Sequence, residues 1–117
     1  MIEVQNAKIT GVTLSMADHG CLTFGLVLEG GAWGTVFGGY CIGKGYLGAN
    51  DFKGSAKGLE AMMRIMDTVG ASKWEDLEGK YVRVEMGRLC DPITKIGHIT
   101  QDKWFDIKDF FGEEVTE

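Results

Sequence analysis

Apolar and polar residues alternate along several short segments of this chain, which is the pattern of strands with one buried and one exposed face. Residues that favour turns, mainly glycine, aspartate and proline, separate these segments. The segment KYVRVEM, from Lys80 to Met86, alternates most strictly. The pattern predicts strands over residues 2–14, 21–28, 32–42, 80–86 and 95–100.

One longer segment has the period of an α-helix and is predicted to be helical from residue 56 to residue 69. Ser55 is placed to cap its N-terminus, and Gly70 stands where a helix commonly ends. A capping-box pattern at 72–75 predicts a short helical turn that ends near residue 78, and Asp106 is expected to cap a last turn over 107–111. The apolar stripe of the long helix consists of Ala56, Leu59, Met62, Met63, Met66 and Val69.

The order of these elements, β-β-β-α-β-β, predicts an α+β fold in which an antiparallel sheet of about five strands carries one main helix on one face. We expect a single domain over residues 1–112, followed by an acidic tail at 113–117. Val82 and Val84 of the alternating strand should share a core with the helix residues Leu59, Met62 and Met66.

Composition and charge narrow the classes of function. The chain has 117 residues, of which 44% are hydrophobic and 25% charged, in the usual range for a soluble globular domain. Its N-terminus lacks the pattern of a signal peptide and no apolar run is long enough to span a bilayer, so we expect no membrane association. A net charge of −5 argues against non-specific nucleic-acid binding.

The residues that usually carry catalysis or bind metals form no known motif here. Three cysteines have neither disulfide nor zinc spacing, and we interpret them as small core residues in a reducing cytoplasm. The two histidines, His19 and His98, have no motif around them, and His98 is expected to contact a cross-strand neighbour. The sequence therefore predicts no catalytic residue, no metal and no cofactor.

The segment from Gly30 to Gly48 is the most unusual part of the chain, since eight of its nineteen residues are glycine. Aromatic side chains and one lysine interrupt the glycines, a composition suited to stacking on bases and holding phosphate. The alternative is that these glycines serve only tight turns and a twisted sheet. The predicted ligand-binding residues are Phe37, Gly38, Gly39, Tyr40 and Lys44, together with Arg88 in the turn at 87–89.

A second aromatic pair, Trp104 and Phe105, lies between Lys103 and Asp106 near the C-terminus. We interpret it as packing the C-terminal segment onto the sheet. The alternative is an exposed aromatic stack.

Several short segments of the chain form a recognisable set: Asp18-His19-Gly20, Phe37-Gly38-Gly39-Tyr40, Trp74-Glu75-Asp76-Leu77, Gly79 to Val84, Ile96-Gly97-His98 and Asp102-Lys103-Trp104-Phe105. With these segments the chain resembles a group of small, uncharacterised proteins encoded by bacteriophages and prophages, over nearly its whole length. Such phage proteins are often accessory factors, and some counter bacterial defences by inhibiting CRISPR effectors or by sequestering signalling nucleotides, as the Thoeris anti-defence proteins do.

The resemblance and the glycine-rich segment together predict a non-enzymatic accessory protein that binds a small nucleotide-like ligand in the host bacterial cytoplasm, as an anti-defence sponge. The alternative is a protein that binds and inhibits a bacterial defence effector, as anti-CRISPR proteins do. In either case we expect a homo-oligomer, because one small domain offers little concave surface for a site.

Overall fold

A computed structural model of the protein describes residues 3–87 and 92–112. The expected acidic tail at 113–117 lies outside these residues. The elements, in chain order, are β1 (Glu3–Asp18), β2 (Cys21–Glu29), β3 (Gly34–Lys44), β4 (Lys53–Gly54), α1 (Ala56–Val69), a 3-10 turn (Trp74–Leu77), β5 (Tyr81–Met86), β6 (Lys95–His98), β7 (Trp104–Asp106) and α2 (Ile107–Phe111).

The strands form one antiparallel sheet in the order β4-β3-β2-β1-β5-β6-β7. The sheet curls into a half-barrel, and α1 packs against β3 at one side and β6 and β7 at the other. The α+β class and the single main helix are therefore confirmed. The described residues contain seven strands, whereas the sequence predicts about five. The difference arises because β4 and β7 contain only two and three residues and are too short to show an alternating pattern.

The long strand β1 holds the two halves of the sheet together. Its first part pairs with β5 and its second part with β2, and Lys8 has Cα partners in both. A register shift between Ile9 and Gly11 makes a bulge where the pairing changes from β5 to β2. The β1–β2 turn has positive φ at both His19 and Gly20, as the tight turn of a hairpin requires.

The ends of both helices follow the sequence prediction. The Ser55 side chain accepts a hydrogen bond from the Gly58 backbone N–H at 2.9 Å, and Gly70 ends α1 in the left-handed conformation. Asp106 caps α2 by accepting from the Asp109 N–H at 2.9 Å. The capping box predicted at 72–75 is wrong, since Lys73 precedes the 3-10 turn and makes no side-chain capping bond.

The core lies between the inner face of the sheet and α1. Val82 and Val84 are fully buried in it, as predicted. The predicted helix stripe is only partly right, because Met62 and Met66 are half-buried and Leu59 is 61% exposed. Ala61 and Ile65 form the centre of the buried face instead. Leu59 lies about 120° around the helix from Ile65, given 100° per residue, and so faces solvent.

These positions predict a large difference between two truncations on α1. Ile65→Ala should lower the free energy of unfolding by about 2–5 kcal/mol, because it leaves a cavity under the helix. Leu59→Ala, the matched control on the exposed side of the same helix, should change it by less than about 0.5 kcal/mol. Urea unfolding followed by circular dichroism measures both. Equal effects of the two substitutions would contradict the orientation of α1.

Candidate functional site

The glycine-rich segment builds strand β3 and its bulge. Gly38 and Gly39 both have positive φ, at 111° and 86°, where the register between β2 and β3 shifts. A Cβ atom at Gly38 would come within 2.8 Å of the Phe24 carbonyl oxygen, so only glycine fits there without displacement. These two glycines are therefore explained by backbone geometry, which is the alternative interpretation of the segment.

The aromatic residues predicted to hold a ligand on this segment are used for packing. Phe37 is fully buried opposite Leu26, so its ring has no exposed face on which a ligand could stack, and a core role replaces the expected one. Tyr40 stacks on Phe111 of α2, with ring centroids 4.6 Å apart and planes 15° apart.

Of the two cations predicted for the same site, the structure describes one, and it lies away from these rings. Lys44 is exposed at the far end of β3, where it pairs with β4. Arg88 lies outside the described residues. The residues predicted as one ligand-binding surface are thus not assembled into one in the described part of the chain.

The opposite, outer face of the sheet carries a different group of aromatic and cationic side chains. Strand alternation places Tyr81 and Arg83 on the side away from α1, because their neighbours Val82 and Val84 point into the core. Cross-strand pairing connects them, since Lys8 is opposite Tyr81, Arg83 is opposite Gly97, and Gly97 is opposite Trp104. We call this group the outer-face row: Lys8, Tyr81, Arg83, Lys95 and Trp104.

The cations of the outer-face row lie close to its rings. The Lys8 Nζ is 5.8 Å from the centroid of the Tyr81 ring, which is 56% exposed. The Arg83 guanidinium and the Lys95 Nζ lie 4.7 and 5.4 Å from the centroid of Trp104. These distances are within the range in which a cation is attracted to an aromatic face.

Gly97 makes room for the Trp104 ring. A Cβ atom at position 97 would come within 2.6 Å of ring atoms of Trp104, so the indole lies directly over this glycine and leans across β6 towards β5. The glycine thereby brings Trp104 close to Arg83, although one strand separates them.

Arg83 is held in place by the chain itself. Its Nε donates to the His98 carbonyl oxygen at 2.7 Å, and its Nη2 donates to the Gln101 carbonyl oxygen at 2.6 Å. Guanidinium has five N–H donors, so these bonds fix the group without using all of them. Lys95 contacts the Glu85 carboxylate at 3.3 Å, which places one acidic group within the row.

A shallow cavity of about 330 Å³ lies at the bend of β1 and contains Tyr81 and Lys8, with Asn6, Thr10 and Glu29 around them.

A second cavity of about 280 Å³ lies at the β7 edge and contains Trp104 and Lys95. The other charged groups of the second cavity are Arg64, Asp106 and Asp109. Each aromatic ring of the outer-face row therefore lines a cavity of its own.

The remaining candidate side chains have structural surroundings. The His98 Nδ1 accepts hydrogen bonds from the backbone N–H groups of Thr100 and Gln101, at 3.1 and 3.0 Å, so this histidine shapes the β6–β7 turn. Cys41 is exposed and Cys21 is half-buried, which corrects the expectation of core cysteines at these positions. Within residues 3–87 and 92–112, no group of three or more potential metal ligands lies together.

Some members of the outer-face row can be recognised from the sequence pattern. The alternation of KYVRVEM places Tyr81 and Arg83 on one face, but alternation alone does not distinguish a binding surface from an ordinary solvated one. The second ring, Trp104, belongs to the aromatic pair interpreted as packing onto the sheet, and in the structure Phe105 is buried and Trp104 is half-buried. The register of β5, β6 and β7 joins the two halves of the row, and this register cannot be read from either segment alone.

Comparison with protein-family models, with curated proteins and with solved structures finds no match to the chain. Among the described residues, no helix is both long enough and apolar enough to cross a membrane.

The surroundings of Tyr40 predict a pH dependence. Burial, and after it the Asp106 carboxylate, raises the pKa of the Tyr40 phenol above its ordinary value of 10.0. The native state therefore holds this proton more strongly than the unfolded state does. The resulting stability is complete below about pH 10 and is lost as the pH rises through the raised native pKa.

Titration of the phenolate absorbance should thus show a component above pH 10 that is absent from Tyr40→Phe and retained in Tyr46→Phe. The free energy of unfolding of Tyr40→Phe should fall less between pH 9 and pH 11 than that of the wild type, by the same linkage. A late component that survives Tyr40→Phe would contradict the assignment.

Proposed function

We propose that the protein is a non-enzymatic binding protein for a small nucleotide-like ligand, which it holds on the outer-face row. The observation that carries the proposal is the presence of two accessible aromatic rings, the exposed Tyr81 and the half-buried Trp104, with three cations within 6 Å of them. Aromatic rings stack on nucleobases and cations hold phosphate, so this combination suits a nucleotide better than an apolar ligand.

The acidic groups near the row support the same ligand class. The cavity at the β7 edge places two carboxylates, Asp106 and Asp109, opposite two cations, Arg64 and Lys95. A purely anionic ligand would be repelled by the carboxylates, whereas a nucleotide also has amino groups on its base that can donate to them. A ligand with both an anionic and a hydrogen-bond-donating part is therefore the best match.

Sequestration is the activity that we propose, because it requires only binding and release. The resemblance to phage accessory proteins extends the proposal to an anti-defence sponge that acts in the host bacterial cytoplasm and removes a signalling nucleotide of the host. The structure supports the ligand class through the outer-face row, and the biological setting is part of the proposal.

Substitution of the rings tests the proposal. A panel of cyclic oligonucleotides and cyclic ADP-ribose isomers is titrated by calorimetry into the wild type and into Trp104→Leu and Tyr81→Leu. Loss of one stacked ring should cost about 1–3 kcal/mol, which weakens binding roughly ten- to hundredfold.

The matched control is Tyr46→Leu, since Tyr46 is as exposed as Tyr81, at 59%, but lies in the loop after β3. It should bind with wild-type affinity. A wild type that gives no heat and no rise in melting temperature with any member of the panel would refute nucleotide binding. Binding that is unchanged in both ring variants would refute the choice of site.

A second candidate function is favoured by the open edge of β3. The short strand β4 pairs only with Gly43 and Lys44, so no strand in the described part of the chain pairs with this side of β3 between Gly34 and Ile42. An open edge can accept a strand from another protein through backbone hydrogen bonds. Val36, which is 57% exposed on this strand, adds an apolar contact. This arrangement suits the alternative of a protein-binding inhibitor.

The same edge supports the predicted homo-oligomer. We expect light scattering at micromolar concentration to give a mass above that of the 12.8 kDa chain. Val36→Lys should return the mass to 12.8 kDa, because a charge on an edge strand opposes pairing with another strand. Leu47→Lys, at a loop residue that is 80% exposed, is the control for added charge. A wild-type mass of 12.8 kDa would contradict self-association.

A further inference from the structure

The two rings of the outer-face row lie in separate cavities. Tyr81 lines the cavity of about 330 Å³ at the bend of β1, and Trp104 lines the cavity of about 280 Å³ at the β7 edge. Pockets that enclose a whole small molecule usually measure about 300–1,000 Å³. The first cavity is therefore close to the lower limit of that range and the second lies just below it, which suits one nucleobase in each better than a complete ligand with several rings.

Arg83 is related by position to both rings. It is on the same strand as Tyr81, two residues further along, and its guanidinium is 4.7 Å from the Trp104 ring. The hydrogen bonds to the His98 and Gln101 carbonyl oxygens hold it there before any ligand binds. A cation that is fixed beside one ring, on the strand that carries the other ring, is placed for the group that links two nucleosides, which is a phosphate.

The distance between the rings limits the shape of such a ligand. Trp104 is two strands and about two residues away from Tyr81, which corresponds to about 12 Å between their Cα atoms at ordinary strand spacing. The lean of Trp104 over Gly97 brings its ring nearer than this. Bases stacked on each other are only about 3.4 Å apart, so a ligand reaches both rings only with its bases spread apart.

We propose that the ligand consists of two linked nucleosides, with one base stacked on Tyr81, the other on Trp104, and the linking phosphate at Arg83. This inference rests on the proposed function and specifies its ligand. A mononucleotide has one base and can therefore stack on only one of the two rings. A long nucleic-acid strand carries many negative charges, and the net charge of −5 on this chain repels such a polyanion.

The test compares ligands that differ in the number of linked nucleosides. AMP, the linear dinucleotide pApA and cyclic di-AMP are titrated by calorimetry at one salt concentration. We expect at least one dinucleotide to bind at least tenfold more tightly than AMP, because attachment of the first base makes binding of the second intramolecular. Tyr81→Leu and Trp104→Leu should each reduce this advantage to less than threefold, and the control Tyr46→Leu should retain it.

Tyr81→Phe and Trp104→Phe keep an aromatic ring at each position and should keep the advantage of the dinucleotide, which separates stacking from a general effect on folding. Equal affinities for AMP and both dinucleotides would overturn the two-nucleoside inference while leaving nucleotide binding intact. A dinucleotide advantage that survives both leucine variants would also overturn it. Absence of binding by all three probes and by the wider panel would refute the proposed function and this inference together.

Discussion

The sheet depends on the ability of β1 to pair with two strands that lie far apart in the chain. The bulge between Ile9 and Gly11 is the point at which its pairing changes from β5 to β2. Backbone bonds at this point are retained, because the Ile9 N–H donates to the Lys80 carbonyl oxygen at 2.8 Å and the Ile9 carbonyl accepts from Gly79 at 2.7 Å. Without this connection, the strands after α1 have no partner among the strands before it.

The same pairing determines which residues reach the outer face. Successive side chains of a strand point to opposite faces, so a shift of β5 by one residue against β1 would place Tyr81 and Arg83 in the core and Val82 in solvent. The burial of Val82 and Val84 makes that shift very unfavourable. The burial of Val82 and Val84 therefore determines that Tyr81 and Arg83 lie on the outer face, although neither of these two side chains is part of the core.

Most of the secondary structure could be predicted from local patterns, and the errors occur where the local pattern is not sufficient. The caps at Ser55 and Gly70 follow from residue type and position, and both are present. Leu59 belongs to the apolar stripe that predicts the buried face of α1, but the small residues Gly58 and Ala61 allow the helix to approach the sheet more closely on another face. A Cβ atom at Gly58 would lie only 2.3 Å from the Ile42 Cβ, which shows how close that approach is.

The candidate site was harder to predict than the fold, because glycine has two uses that look alike in a sequence. At Gly38 it permits a bulge, and at Gly97 it accommodates the ring of a neighbouring strand. The first use occurs in the conspicuous glycine-rich segment, whereas the second involves a single glycine in β6 with no unusual composition around it. The number of glycines in a segment therefore does not identify a binding surface, whereas the cross-strand neighbours of one glycine can.

An acidic protein can hold an anion if its cations are closer to the ligand than its carboxylates are. At physiological ionic strength, charges in solvent that are more than about 8 Å apart are largely screened from each other. The net charge of −5 therefore matters less to a small ligand than Lys8, Arg83 and Lys95 do. Glu85, in contact with Lys95, offsets part of this positive charge. Arg83 donates instead to two neutral carbonyl oxygens, and these bonds leave its positive charge available to an anionic ligand.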